Sequence, residues 1–394
     1  MWRIRIAALL GLVTLALAVA LPSQAPFKSN NSLPAHSLRE IDSWALNPTG
    51  DAAVIRVKTS EKGQSKHELH LLAINAQFTV PSVLYGSAAD QSVYTFLNDQ
   101  TFLTISPAND GQWELFVQDL NYTTLPPAYP PSASPCDSIG KIASSSKITQ
   151  AVYAAQADIL ALHTEFKEVI LVKLVGGKDE WMVQTQLVPR PYSHPEVEDL
   201  TTNGTHLLDS TVSIWEGGSS SSIILLNLQD VSLPQHIVAQ ASDVILSAPA
   251  FEGNHDIAWL SQKKSENRKL WVFNNEAKWE VALNFDRSPE KIIFSKDGKA
   301  IYLLTPHSHE QSLYHLWTPS FNDVTSIKPV RIPSNGTIHS AIHVGITPLD
   351  HAHLIGVKSD TLKNEGTELW VISHSPHEDP TYNYENIRLT YFTG

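Results

Sequence analysis

Histidines occur in close pairs in the second half of the chain, and such pairs are the residue types most able to begin a metal site. The pairs are His307 with His309, His351 with His353, and His374 with His377. A zinc site needs three or four convergent ligands, each oriented by further hydrogen bonds. These pairs fall in polar segments of a chain that has 17 histidines. The sequence therefore favours solvated loop histidines, and it predicts no metal site and no cofactor.

Serine hydrolysis is the second chemistry to weigh, because it has a recognisable local pattern. A G-x-S-x-G turn presents the nucleophilic serine on a strained strand-to-helix elbow. Residues 217–221 read Gly-Gly-Ser-Ser-Ser and lack the closing glycine, and the full pattern occurs nowhere else in the chain. Scattered Ser, His and Asp residues show no spacing that would assemble a triad. The sequence thus predicts no catalytic residue and no peptidase activity of this chain alone.

Two further features could bind a ligand without catalysis. Trp271, Trp317 and Trp370 could line a sugar-binding face, but they recur at matching positions of a repeat, which favours packing between repeats. The acidic stretch of residues 195–199 could attract a peptide amine, but a solvated loop is the simpler interpretation. Neither feature is assigned as a site.

A repeat of about fifty residues supplies the elements that would position any site. Each copy contains a strand-like apolar run, and the clearest copies carry Leu-Trp pairs at 270–271, 316–317 and 369–370. Strand-type repeats of this length are typical of propeller blades, which bury their strands by radial stacking. The anchors of the seven copies are Leu69, Leu115, Ile170, Ile224, Leu270, Leu316 and Leu369. The sequence therefore predicts an all-β fold, a seven-bladed β-propeller of four-stranded blades.

Tight hairpins are predicted between the first two strands of several repeats. Residues 294–303 contain Asp297 and Gly298 between two apolar runs, and residues 44–55 contain Gly50 at the corresponding place. Such residues readily adopt the positive φ that a tight hairpin requires. The run after each turn is apolar on both faces, as expected for a strand between stacked blades.

The N-terminus has the character of a secretory signal, which predicts a secreted, extracellular protein. Residues 1–20 combine a positive start, an apolar run and a small-residue cleavage site. We expect a signal peptide over 1–20, a lead-in segment over 21–40 and the propeller over 41–394. Four N-x-S/T sequons predict glycosylation of the secreted chain. Their acceptors are Asn30, Asn121, Asn203 and Asn335.

Composition disfavours several classes of partner. The formal net charge of −12 argues against nucleic acid and anionic membranes. Beyond the signal peptide, no segment reaches the roughly 20 apolar residues of a membrane span, so no membrane contact is expected after cleavage. The only cysteine, Cys136, cannot form an intramolecular disulfide, and we expect a free thiol.

The chain from about residue 40 onward resembles the propeller of the prolyl oligopeptidase family, in particular its fungal, secreted dipeptidyl-peptidase V branch. The resemblance is best over 245–394 and rests on residues 247–251, 257–260, 283–289, 294–299 and 387–393. It implies that the chain is the propeller portion of such a peptidase, with the catalytic domain absent. In that family the propeller caps the active site and restricts entry to short peptides, while complete relatives release dipeptides from peptide N-termini. Peptides are therefore the expected partners once a hydrolase domain is supplied.

Two departures from the family pattern bear on function. The family's hydrolase domain and its nucleophile elbow do not follow the propeller in this sequence. In the fourth repeat Asp209, Ser210 and Trp215 match the family and Glu216 replaces an acid with an acid, but the family's Arg-His pair is absent. The resemblance thus implies a truncated or noncatalytic relative. The alternative, from a different class, is a secreted propeller that binds protein or glycan and has no peptidase role.

Overall fold

The computed structural model describes residues 38–392 with internal gaps. The residues outside the description are 1–37, 62–63, 76–77, 80–81, 124–129, 145, 177–180, 188–196, 216–217, 231, 253–255, 264–267, 274–277, 283–288, 296–299, 306–312, 318–329, 333–335, 347–351, 361–365, 375–383, 391 and 393–394. The predicted signal peptide lies outside the described residues, as do Asn30 and Asn335. Leu38–Gly394 forms one compact unit, whose first strand begins slightly before the predicted boundary at residue 41.

The described strands form seven separate sheets, which we number in chain order. Sheet 1 contains β1 (Leu38–Leu46), β2 (Ala52–Glu61), β3 (Gln64–Asn75), β4 (Phe78–Thr79) and β5 (Val83–Ser87). Sheet 2 contains β6 (Val93–Phe96), β7 (Thr101–Pro107), β8 (Trp113–Asn121), β9 (Ser132–Ala133) and β10 (Asp137–Ile142). Sheet 3 contains β11 (Ile148–Ala154), β12 (Ile159–Thr164), β13 (Val169–Val175) and β14 (Met182–Leu187).

The second half of the chain repeats the same arrangement. Sheet 4 contains β15 (Val197–Thr202), β16 (His206–Trp215), β17 (Gly218–Asn227) and β18 (Gln235–Ser242). Sheet 5 contains β19 (Val244–Glu252), β20 (Asp256–Lys263), β21 (Lys269–Phe273) and β22 (Lys278–Ala282). Sheet 6 contains β23 (Lys291–Phe294), β24 (Ala300–Leu304), β25 (Leu313–Trp317) and β26 (Val330–Arg331). Sheet 7 contains β27 (Gly336–Ile346), β28 (Ala352–Asp360), β29 (Thr367–His374) and β30 (Tyr384–Arg388).

Each sheet is built from consecutive antiparallel strands, and the seven predicted anchors all fall on third strands. The fourth position is divided between two short strands in sheets 1 and 2, where β4 and β5 pair with β3, and β9 and β10 pair with β8. First strands of consecutive sheets contact one another, so they form the inner wall. The anchors lie on the third strands β3, β8, β13, β17, β21, β25 and β29. This arrangement confirms the predicted all-β propeller of four-stranded blades.

Neighbouring sheets share apolar cores, because each central strand buries both of its faces. In β2 every residue from Ala52 to Val57 is buried. Ala52 and Val54 face sheet 2, whereas Ala53 and Ile55 face sheet 7. Successive side chains of a strand point to opposite faces, so a strand packed on both sides is apolar at nearly every position; Arg56 is the exception in this stretch. Clusters of this kind span each pair of neighbouring sheets in the described part of the chain.

Sheet 7 packs directly against sheet 1. Ile41 and Ile55 of sheet 1 share a core with Leu369 of sheet 7. The backbone N–H of Ile41 also donates a hydrogen bond to Thr367 Oγ1 (2.6 Å). Among the described strands, none from sheet 1 pairs with a strand of sheet 7. Side-chain packing therefore joins sheet 7 to sheet 1, whereas backbone hydrogen bonds join the strands within each sheet.

The segment that follows β30 extends this seam, and we call Leu389, Thr390 and Phe392 the closing segment. Leu389 N–H donates to the carbonyl of Leu369 (2.8 Å), and Leu369 N–H donates to Thr390 Oγ1 (2.9 Å). Leu389 and Phe392 are buried in the core that sheets 1 and 7 share. The chain thus leaves its last strand by lying on the first sheet.

Asn47 organises the tight turn between β1 and β2. Its side chain is buried, and its Oδ1 accepts hydrogen bonds from the N–H groups of residues 50–52 at 2.9–3.0 Å. Gly50 has a φ of 81°, the left-handed conformation that glycine adopts without steric penalty. The positive φ matches the predicted turn chemistry here. The corresponding turn at 297–298 lies outside the described residues.

Candidate functional site

The structure describes two of the four predicted glycosylation acceptors. Asn121 ends β8 and is exposed. Asn203 lies in the turn between β15 and β16, where its Oδ1 accepts hydrogen bonds from Thr205 N–H (3.1 Å), Thr205 Oγ1 (3.1 Å) and His206 N–H (2.9 Å). Gly204, between acceptor and threonine, has a φ of 95°. The turn therefore holds the asparagine and threonine of this sequon side by side.

The histidine pairs do not form a cluster in the described part of the chain. His353 lies within β28 and His374 ends β29, so the loop prediction was wrong for these two residues. Their backbones pair with the neighbouring strand, His353 opposite Ser373 and His374 opposite Ala352. The other four paired histidines lie outside the described residues. Among the residues described, no group of three or more His, Cys, Asp or Glu is placed to hold a metal ion.

The serine-rich stretch nearest to a G-x-S-x-G pattern begins strand β17. Ser221 is buried, its Oγ accepts a hydrogen bond from Leu246 N–H (2.9 Å), and the same hydroxyl donates to the carbonyl of Val244. These bonds join sheet 4 to sheet 5, which makes the hydroxyl a structural group. Asp209 and Ser210, which match the family pattern, are buried in β16. Regular strands of this kind present no strained nucleophile.

The recurring tryptophans are found at comparable places on third strands. Trp271 stacks on Trp259 with ring centroids 6.4 Å apart and packs against the core between sheets 4 and 5. Trp370 is half-buried, and Lys358 Nζ lies 4.2 Å from its ring centroid. The side chain of Trp317 lies outside the description. Trp271 therefore packs between repeats, as its position in the repeat predicts.

The acidic stretch predicted as a loop is in part the first strand of sheet 4. Strand β15 begins at Val197, so the loop prediction was wrong for residues 197–199.

The register of β15 against β16 shifts by one residue, and the same irregularity recurs in three other first strands. Bulges of this type re-aim a side chain without ending the strand. The bulged residues are Asp42, Thr149, Glu198 and His339.

Asp42 belongs to a group of charged side chains between sheets 1 and 2, which we call the first ionic cluster (Asp42, Arg56, His67 and Asp90). Arg56 Nε donates to Asp42 Oδ1 (2.8 Å), and Arg56 Nη1 donates to the carbonyl of Ser92. His67 Nε2 lies 3.5 Å from Asp42 Oδ2 and 3.7 Å from Asp90 Oδ1. Arg56 is buried, and these partners compensate a charge that would otherwise be strongly destabilising there.

A second ionic cluster (Arg39, Lys66, Glu68 and His70) lies on the opposite face of sheet 1, toward sheet 7. Glu68 accepts a hydrogen bond from Lys66 Nζ (2.7 Å), and its other oxygen lies 3.5 Å from His70 Nε2 and 4.0 Å from Arg39 Nη2. Burial acts to raise the pKa of Glu68, but the hydrogen bond and charge of Lys66 outweigh it and hold the pKa below its ordinary value. The ring of His70 meets Phe392 edge-on, with centroids 4.7 Å apart.

Both clusters lie toward the face of the ring where β1 begins and β30 ends, which we call the terminal face. The antiparallel register places Arg39 opposite Thr59 and Lys58 opposite His67, so β1 and β3 begin where β2 ends. The hydrogen bond from Ile41 to Thr367 brings the start of β29 to the same place. The chain therefore enters and leaves the described propeller beside the two clusters.

The chemistry available at these sites is ion pairing and hydrogen bonding. Burial raises the pKa of Tyr94, beside the first cluster, to about 12, so its hydroxyl stays neutral at physiological pH. A serine–histidine contact exists between His339 Nε2 and Ser359 Oγ (3.1 Å), but it is exposed, and His339 occupies a bulge of β27 opposite β28 in sheet 7. Acyl transfer needs in addition oxyanion donors and a rigid support for the base.

Sequence analysis missed both ionic clusters. Their signal is present in the sequence, because Arg56 and His70 interrupt runs that are otherwise apolar. A charged residue in a buried strand requires a partner across the seam. The sequence does not say which residue supplies it, since that depends on how the sheets stack.

No protein-family model and no curated protein matches this chain. Solved structures do match. The β-propeller domain of the Trilobed protease from Pyrococcus furiosus aligns with a TM-score of 0.55 at 10% identity, over 87% of this chain and 96% of that one. Acylaminoacyl peptidase from Pyrococcus horikoshii aligns with a TM-score of 0.55 at 9% identity, over 91% of this chain and 53% of that one. Sqt1 from Chaetomium thermophilum, solved with the N-terminus of ribosomal protein L10, aligns with a TM-score of 0.51 at 10% identity, over 89% of this chain and 87% of that one.

These likenesses define the class of protein. The chain is a β-propeller, similar in fold to the propeller domains of prolyl oligopeptidase-family peptidases. It spans about half the length of acylaminoacyl peptidase and nearly all of the P. furiosus propeller domain. Within the part of the chain that the structure describes, no helix is both long enough and apolar enough to cross a membrane.

Proposed function

We propose that this chain is the substrate-screening propeller of a secreted serine peptidase of the dipeptidyl-peptidase V type. The observation that carries the proposal is the fold match to nearly the whole propeller domain of a protease, together with the match to about half of acylaminoacyl peptidase. The sequence resemblance over residues 245–394 supports the same family. We further propose that the seven sheets serve as the seven blades of one ring, since a shared core joins each sheet to the next and sheet 7 to sheet 1.

The position of the chain ends supports a partner domain on the terminal face. Strand β1 begins there and β30 ends there, so a domain attached at either end starts next to that face. The two ionic clusters flank sheet 1 at this side of the ring, with Asp42, Asp90 and Lys66 at least partly exposed. Such groups suit a polar, hydrated domain contact of the kind found between domains of one chain.

In this proposal the propeller contributes exclusion and positioning, and the partner domain contributes the chemistry. The first strands form the inner wall, so a peptide reaching a catalytic domain through the ring must fit between them. The central strands behind this wall are packed on both faces, which supports the first strands from the side away from the opening. We expect short unfolded peptides to pass between them and folded proteins to be excluded.

The test compares the chain alone with the chain joined to a matching hydrolase domain. We expect no turnover of dipeptidyl chromogenic substrates and no fluorophosphonate labelling by the chain alone, because its sequence contains no G-x-S-x-G nucleophile pattern. With the hydrolase domain attached, dipeptide release should appear and cleavage of a denatured protein should exceed that of the same protein folded. The hydrolase domain joined to an unrelated propeller is the control. Stoichiometric labelling of a serine in the chain alone, or the same size selectivity with the unrelated propeller, would contradict the proposal.

A second candidate function is a secreted binding module for protein or glycan. The observation that favours it is the fold match to Sqt1, which is solved with a segment of another protein. This candidate predicts tight binding of a protein segment or glycan with no hydrolase domain present. Retention of a specific ligand by the purified chain, with no gain of activity from an added hydrolase domain, would favour it over the screening role.

Secretion and glycosylation are part of the proposal. The geometry at Asn203 supports it, because the turn between β15 and β16 brings the acceptor and Thr205 together. The exposed position of Asn121 at the end of β8 supports a second site. Expression in a eukaryotic secretory host should give a mature chain that begins near Leu21 and loses mass on deglycosylation. Cytosolic retention at unmodified mass would contradict the compartment.

A further inference from the structure

The closing segment rests on a buried histidine. The His70 side chain is 8% exposed, and its ring meets Phe392 edge-on with centroids 4.7 Å apart. Within the described part of the chain, neither ring nitrogen makes a well-formed hydrogen bond, and Glu68 Oε2 lies 3.5 Å from Nε2. An imidazole in such surroundings favours its neutral form, because a buried cation without hydrogen bonds carries a large desolvation penalty. The contact between His70 and Phe392 therefore depends on the charge of the ring.

The carboxylates near His70 already have cations of their own. Glu68 lies 3.5 Å from His70 Nε2 but is paired with Lys66 at 2.7 Å. Glu368 of β29 raises the pKa of His70 through its negative charge, but it is paired with Arg388 at 2.6 Å. Arg39, at 4.0 Å from the same Glu68, adds a positive charge that opposes protonation. The charged groups around the ring are Glu68 and Lys66 of β3, Arg39 of β1, Glu368 of β29 and Arg388 of β30.

We propose that the seam between sheets 1 and 7 is a pH-sensitive latch, in which protonation of His70 on acidification releases the closing segment from sheet 1. Withdrawal of Phe392 exposes the imidazolium to water and removes its desolvation penalty. The described strands of sheets 1 and 7 remain paired within their own sheets when this happens. The part that moves is Phe392, which packing holds against sheet 1, whereas Leu389 and Thr390 stay bound to β29 through hydrogen bonds to Leu369 and Glu368.

The direction of the effect follows from the lowered affinity of the buried ring for a proton. Desolvation lowers the pKa of His70 below its ordinary value of 6.5. The closed state therefore binds fewer protons than the open state between the two pKa values, and closure weakens as the pH falls through that interval. The latch is at full strength above about pH 6.5. At pH 5.5 the gain in the open population is at most about tenfold, the limit for an open-state histidine of ordinary pKa.

The test is hydrogen exchange of the full chain, followed by mass spectrometry at pH 7.5 and pH 5.5. Wild type is compared with His70→Phe at each pH, so that the pH dependence of intrinsic exchange cancels. For peptides covering β30 and the closing segment, the ratio of wild-type to variant exchange should rise by up to about tenfold between the two pH values. Peptides of β17, in sheet 4, are the internal reference and should keep a constant ratio.

Two further variants separate charge from shape. His70→Leu, which also cannot titrate, should show the same pH-independent exchange as His70→Phe. His206→Gln removes another histidine whose pKa burial lowers, in a different turn, and should leave the closing segment unchanged. A wild-type ratio that does not change with pH would show that His70 only packs, and would overturn the proposal. A ratio that falls on acidification, or an equal loss of protection in β17, would also overturn it.

Discussion

Asn47→Ala should destabilise the propeller by about 3 kcal/mol, because one amide group serves two sheets. Its Oδ1 holds the N–H groups of residues 50–52 in the first turn. Its Nδ2 donates to Asp51 Oδ1 (2.7 Å) and, across the seam to sheet 2, to the carbonyl of Asp99 (3.0 Å) and to Tyr122 Oη (2.9 Å). Alanine removes all of these bonds at once from a buried position.

The magnitude follows from counting the groups left without a partner. The Gly50 N–H keeps a hydrogen bond to the backbone carbonyl of residue 47 (3.0 Å), so two N–H groups, those of Asp51 and Ala52, lose their acceptor. Each contributes about 1 kcal/mol, and loss of the amide's bonds to sheet 2 adds about 1 kcal/mol more. With a denaturant slope near 3 kcal/mol/M, the urea midpoint should fall by about 1 M.

The assay is urea unfolding followed by circular dichroism, with Asn98→Ala as the matched control. Asn98 has a similar place in the turn between β6 and β7, but it is only half-buried and its Oδ1 accepts from Gln100 N–H and Thr101 N–H alone. Its replacement should destabilise by about 1 kcal/mol. Equal losses for the two variants, or a loss below about 1 kcal/mol at Asn47, would refute the view that the amide joins two sheets.

Three other outcomes are expected. Ser221→Ala should lower stability by about 2 kcal/mol in the same assay, because Leu246 N–H loses its acceptor, and it should not change fluorophosphonate labelling. Asn203→Gln should lower the intact mass of the secreted protein by one glycan, whereas Thr205→Ser should keep that glycan. A secreted Asn203→Gln protein that loses no glycan mass relative to wild type would argue against occupancy of this site. Since the pKa of Glu68 is held below its ordinary 4.5, its contribution to stability is present above that pH and is lost as the pH falls through the lowered value. Glu68→Gln should therefore flatten the acid side of the melting-temperature profile, and an unchanged profile would contradict the role of its ion pairs.

The packing of sheet 7 on sheet 1 brings residues from both ends of the described chain together at the terminal face. Six of the seams join sheets that are consecutive in the chain, while the seam between sheets 7 and 1 must join elements from its two ends. Both ionic clusters border sheet 1, and the closing segment lies on it. A domain or ligand that binds at this face meets the contact between sheets 7 and 1, which side chains from both ends of the described chain hold together.

Local pattern was sufficient to predict the repeat and the strand that carries it. The anchors such as Leu115 and Leu270 fall on third strands because apolar runs of strand length, separated by turn residues, are a short-range property. The positive φ at Gly50 was predictable for the same reason. The loop assignments of His353 and of residues 197–199 were wrong, because polar residues also pair within a sheet when neighbouring strands offer backbone partners.

The sequence by itself determined the class of fold, the turn chemistry and the absence of a recognisable nucleophile elbow. Only the tertiary structure decided which charged residues meet. Ile41 and Thr367 are separated by 326 positions in the sequence and are joined by one hydrogen bond. The ring contact between His70 and Phe392 likewise joins residues that are far apart in the described chain. A bulge at Asp42 shifts the register by one residue and so re-aims its side chain. Which side chains of two neighbouring sheets face and contact each other depends on how the whole sheets stack, and no local sequence pattern contains that information.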